Sequence, residues 1–196
     1  MTMNTPNKLT IARVFMVPLF VLLYYWQFPA HYFIAALVFV GASITDAIDG
    51  KMARKYNLIT DFGKFLDPLA DKVLVITALS CFLHQGHIHI VAYLLIIIRE
   101  FMVDALRLVV AGKGTVVPAG FAGKLKTAFT MIAIITFTAY QAFRMDFHAF
   151  GLPITDGIWF WIEAFLQLLF WIAAALTVYS GAKYLVGYWK DINPNQ

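Results

Sequence analysis

Six runs of this sequence carry almost no charge, and that pattern decides what the chain can fold into. They extend from about Leu9 to Gln27, Phe28 to Thr45, Leu69 to Leu83, Ile88 to Val110, Thr127 to Phe143 and Gly157 to Lys183. A bilayer core takes about 20 apolar residues per helical pass, and each run reads as one membrane helix. Breaks fall at Phe28-Pro29-Ala30-His31, across the polar stretch Gly50 to Pro68, at His84-Gln85-Gly86-His87, from Ala111 to Gly123 and from Arg144 to Asp156, with the Gly, Pro and polar residues of turns. With 61% hydrophobic and 13% charged residues, the chain is too apolar for an ordinary water-soluble domain. Backbone polar groups in lipid must be satisfied internally, and no alternating strands of barrel type occur. The expectation is an all-α integral membrane protein, a six-helix bundle occupying residues 1–196 as a single membrane domain.

Charge placement gives an orientation. Counting alternate loops from the N-terminus, fourteen Lys and Arg residues fall on or lean toward the first side and only Arg144 toward the second. This bias places both termini, and the loops after the second and fourth spans, in the cytoplasm of a cell membrane. The net charge of +4 is not gathered into a basic run or an aromatic-interleaved groove, so nucleic acid is not an expected partner. Lys8 precedes the first apolar stretch, Arg13 and Pro18 interrupt it, and no small-residue cleavage pattern precedes Gln27, which favours a retained span over a cleaved signal. A short interfacial segment over residues 1–8 is expected before it. Cys81 lies in an apolar run and reads as a small buried hydrophobe.

At the cytoplasmic end of the second span the sequence reads Asp46-Ala-Ile-Asp49-Gly50-Lys-Met-Ala53-Arg54, and eight residues lead to Gly63-Lys-Phe-Leu-Asp67-Pro-Leu-Ala-Asp71. On a helix Asp46, Asp49, Gly50 and Ala53 share one stripe, at offsets 0, 3, 4 and 7. Gly63, Asp67 and Asp71 form a second stripe at offsets 0, 4 and 8. Carboxylates thus stand beside residues with almost no side chain, where a ligand can approach the backbone. Four such carboxylates gathered near a membrane surface repel one another and take up protons unless cations lie between them. Hard divalent ions, Mg²⁺ or Mn²⁺, prefer these oxygens and complete their shells with water and phosphate, so the pattern points to a metal–phosphate site. Taken singly, each aspartate also fits a solvated helix end.

The spacing D-x2-D-G-x2-A-R-x8-G-x3-D-x3-D resembles the signature of the CDP-alcohol phosphotransferase family from Asp46 to Asp71. The likeness extends to about residue 130 through Pro6-Asn7-Lys8-Leu9-Thr10 with Arg13, Lys64 to Lys72, Arg99-Glu100 with Arg107, and Gly123 to Thr127. These resemble the branch of that family whose acceptor is glycerol 3-phosphate. The resemblance implies transfer of a phosphatidyl group from CDP-diacylglycerol to sn-glycerol 3-phosphate, with release of CMP, by a homodimer. It implies two metal ions, with Asp46, Asp49 and Asp67 as ligands, Asp71 touching a metal as well, and Asp71 as general base for the attacking hydroxyl. Gly50, Ala53, Arg54 and Gly63 are assigned to the cytidine diphosphate cleft, with Asn7 and Thr10 beside them. Asn7 equally fits a surface residue before the first helix, and Thr10 its N-cap.

The acceptor brings about two negative charges and calls for a cationic pocket, for which Arg99, Arg107, Lys124 and Lys126 are available. The alternatives are anchoring at the membrane face and internal pairing, such as Asp104 with Arg107, or a snorkelling Lys126. His84, His87 and His89 fall on the outer side and read as a polar loop rather than a zinc site. Other acceptors, namely serine, inositol phosphate or phosphatidylglycerol, would use the same aspartates. A cation transporter would want its carboxylates near the midplane on broken helices, and a structural scaffold has no need of them.

Overall fold

A computed structural model of the chain describes residues 4–55, 61–113, 120–146 and 156–189. Six α-helices follow one another: α1 (Thr5–Tyr25), α2 (His31–Lys55), α3 (Asp61–His84), α4 (Ile90–Gly112), α5 (Phe121–Gln141), which passes into a π-helical turn at Ala142–Asp146, and α6 (Asp156–Gly187). The protein is an all-α membrane protein. Large apolar side chains such as Phe15, Leu22, Ile98, Phe101, Leu108, Phe160 and Trp161 lie on its outer surface, where a soluble helix would carry polar groups and a lipid-facing one does not.

Two expectations about boundaries change. Helix α1 begins at Thr5, so residues 5–8 are its first turns rather than a separate interfacial segment. Pro6 sits at the start of the helix, where its missing N–H removes no ladder bond. Likewise the stretch from Gly50 to Pro68 is mostly not a loop: α2 continues to Lys55 and α3 starts at Asp61. Helical hydrogen bonding persists where hydropathy has already fallen, because polarity of the side chains does not break the backbone ladder; only Gly, Pro and capping chemistry do. Among the described residues four stretches are long and apolar enough to cross a membrane: Asn7–Tyr25, His31–Gly50, Phe121–Met145 and Gly157–Gly187. Helices α3 and α4 fall outside that set because Asp67, Asp71 and Lys72 occupy one end of the former and Arg99, Glu100, Asp104 and Arg107 lie within the latter.

The chain divides into two compact units, Met1–Phe82 with Ile134–Trp159, and Leu83–Ala133 with Phe160–Gln196. In the first, α1 buries Asn7, Thr10, Arg13, Val17, Phe20 and Tyr24, and α2 buries Tyr32, Ala35, Phe39, Ala42 and Asp49. Both sets recur every three, four or seven residues, so each helix turns one stripe inward. The apolar end of this core is aromatic, with Phe20 and Phe39 ring centroids 5.9 Å apart and Phe82 and Phe137 4.7 Å apart. There the Tyr24 hydroxyl donates to Gln141 Oε1 at 2.6 Å, which satisfies a buried phenol. At the other end the same stripes carry polar residues.

In the second unit α4 buries Ala92, Ile96, Arg99, Val103, Leu106 and Val110. Helix α6 buries Leu166, Phe170, Ala173, Thr177, Ser180 and Tyr184, again at helical spacing. Its small residues let side chains come close: a Cβ built on Gly181 would lie 2.9 Å from Arg99 Cγ. Gly86, at φ +77°, makes the turn between α3 and α4, a conformation that suits glycine.

Candidate active site

In the first unit the carboxylates of α2 meet α1. Asp46 and Asp49 extend the inward stripe that Ala35, Phe39 and Ala42 begin, so helix periodicity alone turns both toward α1. There Arg13 is completely buried. Its Nη1 lies 2.9 Å from Asp46 Oδ1, near enough for an ion pair without hydrogen-bond alignment. Its Nη2 donates to Asp49 Oδ2, and its Nε donates to the Ala42 carbonyl at 3.3 Å. One guanidinium therefore follows the stripe of Ala42, Asp46 and Asp49 along α2. The two aspartates differ in their surroundings, for the Asp46 side chain is 40% exposed and that of Asp49 only 4%.

One turn earlier on α1, Thr10 Oγ1 donates to Asp67 Oδ1 at 2.5 Å. Thr10 lies inside α1 and its N-cap is Asn4, so Thr10 is not the cap of the helix but a ligand of an α3 carboxylate. Asn7, three residues before Thr10, is buried within α1 and is not a surface residue ahead of the helix. Gly63 is buried, while Gly50 and Asp71 are partly exposed. Ala53 and Arg54 belong to α2, and their side chains lie outside the described residues. Helix α1 thus holds one carboxylate pair from α2 and one carboxylate from α3 through two residues on a single face. Arg13 was legible in principle, since an arginine inside an apolar span is a functional signal by default, yet positive-inside counting absorbed it as a topology charge.

The donor set suits a hard divalent cation: four aspartates carried on α2 and α3 offer carboxylate oxygens of the kind that Mg²⁺ and Mn²⁺ take. Among the described residues no three His, Cys, Asp or Glu side chains converge closely enough to hold an ion. Asp46 and Asp49 turn to Arg13 instead, and Asp67 to Thr10.

The second unit gathers cations. Arg99, on the buried stripe of α4, donates through Nη2 to Ser180 Oγ at 2.7 Å, and its Nη1 lies 3.7 Å from Glu100 Oε2. Lys126, also buried, is ion-paired with Glu100. Arg107 donates through Nη2 to the Tyr184 hydroxyl at 3.3 Å. That hydroxyl also accepts from the Gly120 backbone N–H at 2.7 Å, just before α5. The Arg99 and Arg107 guanidinium carbons lie 5.7 Å and 5.5 Å from the centroid of the Tyr184 ring. Gly120, Phe121, Ser180, Lys183, Tyr184 and Tyr188 border a cavity of about 370 Å³, while Lys124 is exposed. Hence Arg99 and Lys126 are engaged by internal partners, whereas Arg107 is oriented by a tyrosine. Sequence reasoning missed Ser180, Gly181 and Tyr184, since an apolar helix with scattered small and aromatic residues carries no motif.

His87 Nδ1 lies 3.2 Å from Glu163 Oε1, and His89 caps α4 by accepting from the Val91 N–H at 3.2 Å. Two of the three histidines therefore have local structural work, and Glu163 gains a partner.

Comparison with known proteins supplies an independent view. The model of the CDP-alcohol phosphatidyltransferase family matches residues 3–179. A protein of Bacillus subtilis (strain 168) is 38% identical over 201 residues, covering 96% of this chain and 97% of its own length. One of Rickettsia bellii is 38% identical over 181 residues (92% and 93%), and one of Shigella flexneri serotype 5b is 37% identical over 198 residues (98% of each). All three are named CDP-diacylglycerol–glycerol-3-phosphate 3-phosphatidyltransferase.

Proposed function

The chain belongs to the CDP-alcohol phosphatidyltransferase family, and from that premise we propose that it transfers a phosphatidyl group from CDP-diacylglycerol to sn-glycerol 3-phosphate. The products are phosphatidylglycerophosphate and CMP. The observation that carries the reading is near-full-length similarity to transferases of that name, joined to a motif three of whose carboxylates, Asp46, Asp49 and Asp67, meet one face of α1.

In the reaction, the acceptor hydroxyl attacks the phosphorus bearing the diacylglycerol, and the bond to CMP breaks. Asp71 takes the proton of that hydroxyl; a carboxylate poised for this contributes about a hundredfold or more. Asp46, Asp49, Asp67 and Asp71 would hold divalent metal, Mg²⁺ or Mn²⁺ and two ions by resemblance, which supplies charge neutralisation for the diphosphate. Gly50, Ala53, Arg54 and Gly63, with Asn7 and Thr10, line the cleft for the cytidine diphosphate. The phosphate of the acceptor is assigned to the cations of the second unit, Arg107 and Lys124 first, with Arg99 and Lys126 supporting them. A phosphorylated acceptor suits such a cluster better than serine does.

The reading includes six spans. Helix α4 turns Arg99 inward while Ile90, Leu94, Ile98, Phe101 and Leu108 are exposed, the arrangement a charged helix needs to sit in lipid. It also includes a cell membrane location with both termini and the aspartates on the cytoplasmic side, and a homodimer by resemblance. The test is CMP release by purified protein in detergent with Mg²⁺, one acceptor at a time. Release that requires glycerol 3-phosphate is the expected result. Release with another alcohol instead would overturn the acceptor, and none with any acceptor or metal would reopen the transporter reading.

A further inference from the structure

The buried guanidinium of Arg13 has no part in the reaction just described. We propose that Arg13 is a tethered counter-ion, holding Asp46 and Asp49 when no metal is bound and competing with the divalent cation for them; this rests on the reading of those aspartates as metal ligands.

Asp49 is buried and Asp46 stands one turn away on the same stripe, and negative charge placed there is costly unless a positive group pairs with it. Arg13 supplies that group from α1, where it is wholly removed from solvent. All three of its nitrogens are used along α2, on the Ala42 carbonyl, beside Asp46 and on Asp49. A guanidinium in that position does more than pack, for it fixes the direction of the Asp49 carboxylate by a hydrogen bond and sets its charge 2.9 Å from Asp46. It also opposes a metal. Oxygens committed to N–H donors offer a cation less charge, and a divalent ion placed on this pair meets a fixed positive group a few ångströms away. Metal affinity is then set by the difference between what the cation gains from the carboxylates and what they lose with Arg13. Removing the guanidinium lowers the stability of the metal-free protein and raises its affinity for the ion. A residue that merely packed would lower stability and leave affinity unchanged; one that positioned the aspartates for metal would lower both.

The experiment measures Mn²⁺ binding directly, by the electron paramagnetic resonance of unbound Mn²⁺, on purified protein in detergent. Thermal unfolding is followed in chelator and in saturating Mn²⁺. Arg13→Gln is expected to bind Mn²⁺ about tenfold more tightly, the effect of deleting one unit charge at a partly wet site. It should also melt earlier in chelator and gain more from Mn²⁺ than the unaltered protein does. Arg13→Lys keeps the charge but reaches fewer partners, and should lie between the two. If Arg13→Gln does not fold, Arg13→Lys decides: tighter Mn²⁺ binding than the unaltered protein supports the proposal, and equal or weaker binding overturns it. Equal or weaker binding by a folded Arg13→Gln overturns the competition while leaving the aspartates as ligands. Absence of Mn²⁺ binding in the unaltered protein and both variants overturns the ligand assignment and the counter-ion with it.

Discussion

In the first unit one buried guanidinium, Arg13, stands between two carboxylates, Asp46 and Asp49; in the second one carboxylate, Glu100, stands between two cations, Arg99 and Lys126. These pairs thus set two carboxylates against one cation in the first unit and two cations against one carboxylate in the second. Burying a charge is costly unless it is paired, and in the function proposed above a ligand of opposite sign would complete each cluster. The first unit suits a cation and the second an anion. The partners differ too. Arg13 is gripped by charged groups and one carbonyl, whereas Arg107 leans on the neutral hydroxyl of Tyr184 and Arg99 adds that of Ser180 to its contact with Glu100. A hydroxyl orients an arginine without cancelling its charge, so the second unit keeps its positive potential for an anion.

The contrast is broken most severely by neutralising the acid side. Asp71→Asn is expected to lower CMP release about a thousandfold, as loss of a general base does, and chelation of divalent metal should abolish it. Next comes the base side. Arg107→Gln should raise the KM for glycerol 3-phosphate about thirtyfold, the loss of a charged hydrogen bond, with the KM for CDP-diacylglycerol unmoved; an equal rise in both would remove the acceptor assignment. Lys126→Met leaves Glu100 to its longer contact with Arg99 and should cost about 1–3 kcal/mol of stability, with the double variant Lys126→Met, Glu100→Gln regaining much of it in thermal unfolding. Tyr184→Phe removes the acceptor shared by Arg107 and Gly120 and should weaken the acceptor KM about fivefold, the value of one neutral hydrogen bond. Smallest is the His87–Glu163 pair: His87→Gln should change stability by about 1 kcal/mol or less and leave CMP release unchanged, since a partly exposed pair is largely screened by solvent.

Much of this was readable in the chain. The six apolar runs located six helices, and the turns at Pro29 and Gly86 lie where their residues demanded them. The stripe of Asp46 and Asp49 followed from spacing, and α2 turns it inward as helix geometry requires. Other features were hidden because they join residues far apart in sequence. Thr10 reads as a helix cap until Asp67, 57 residues away, is placed beside it. Arg13 reads as a topology charge until α1 and α2 pack, and Tyr184 carries no signal until Arg107 and Gly120 reach its hydroxyl.

Sequence by itself determined the medium, the helices and the type of chemistry, because hydropathy, helical period and residue identity are local properties that no packing can alter. The tertiary structure decided which charge answers which: that two aspartates face an arginine from another helix, and that Glu100 takes Lys126 while Arg107 turns to a tyrosine. Such pairings depend on side chains tens of residues apart arriving within about 3 Å of each other, where Coulomb and hydrogen-bond energies become large, and only the packed helices fix those distances.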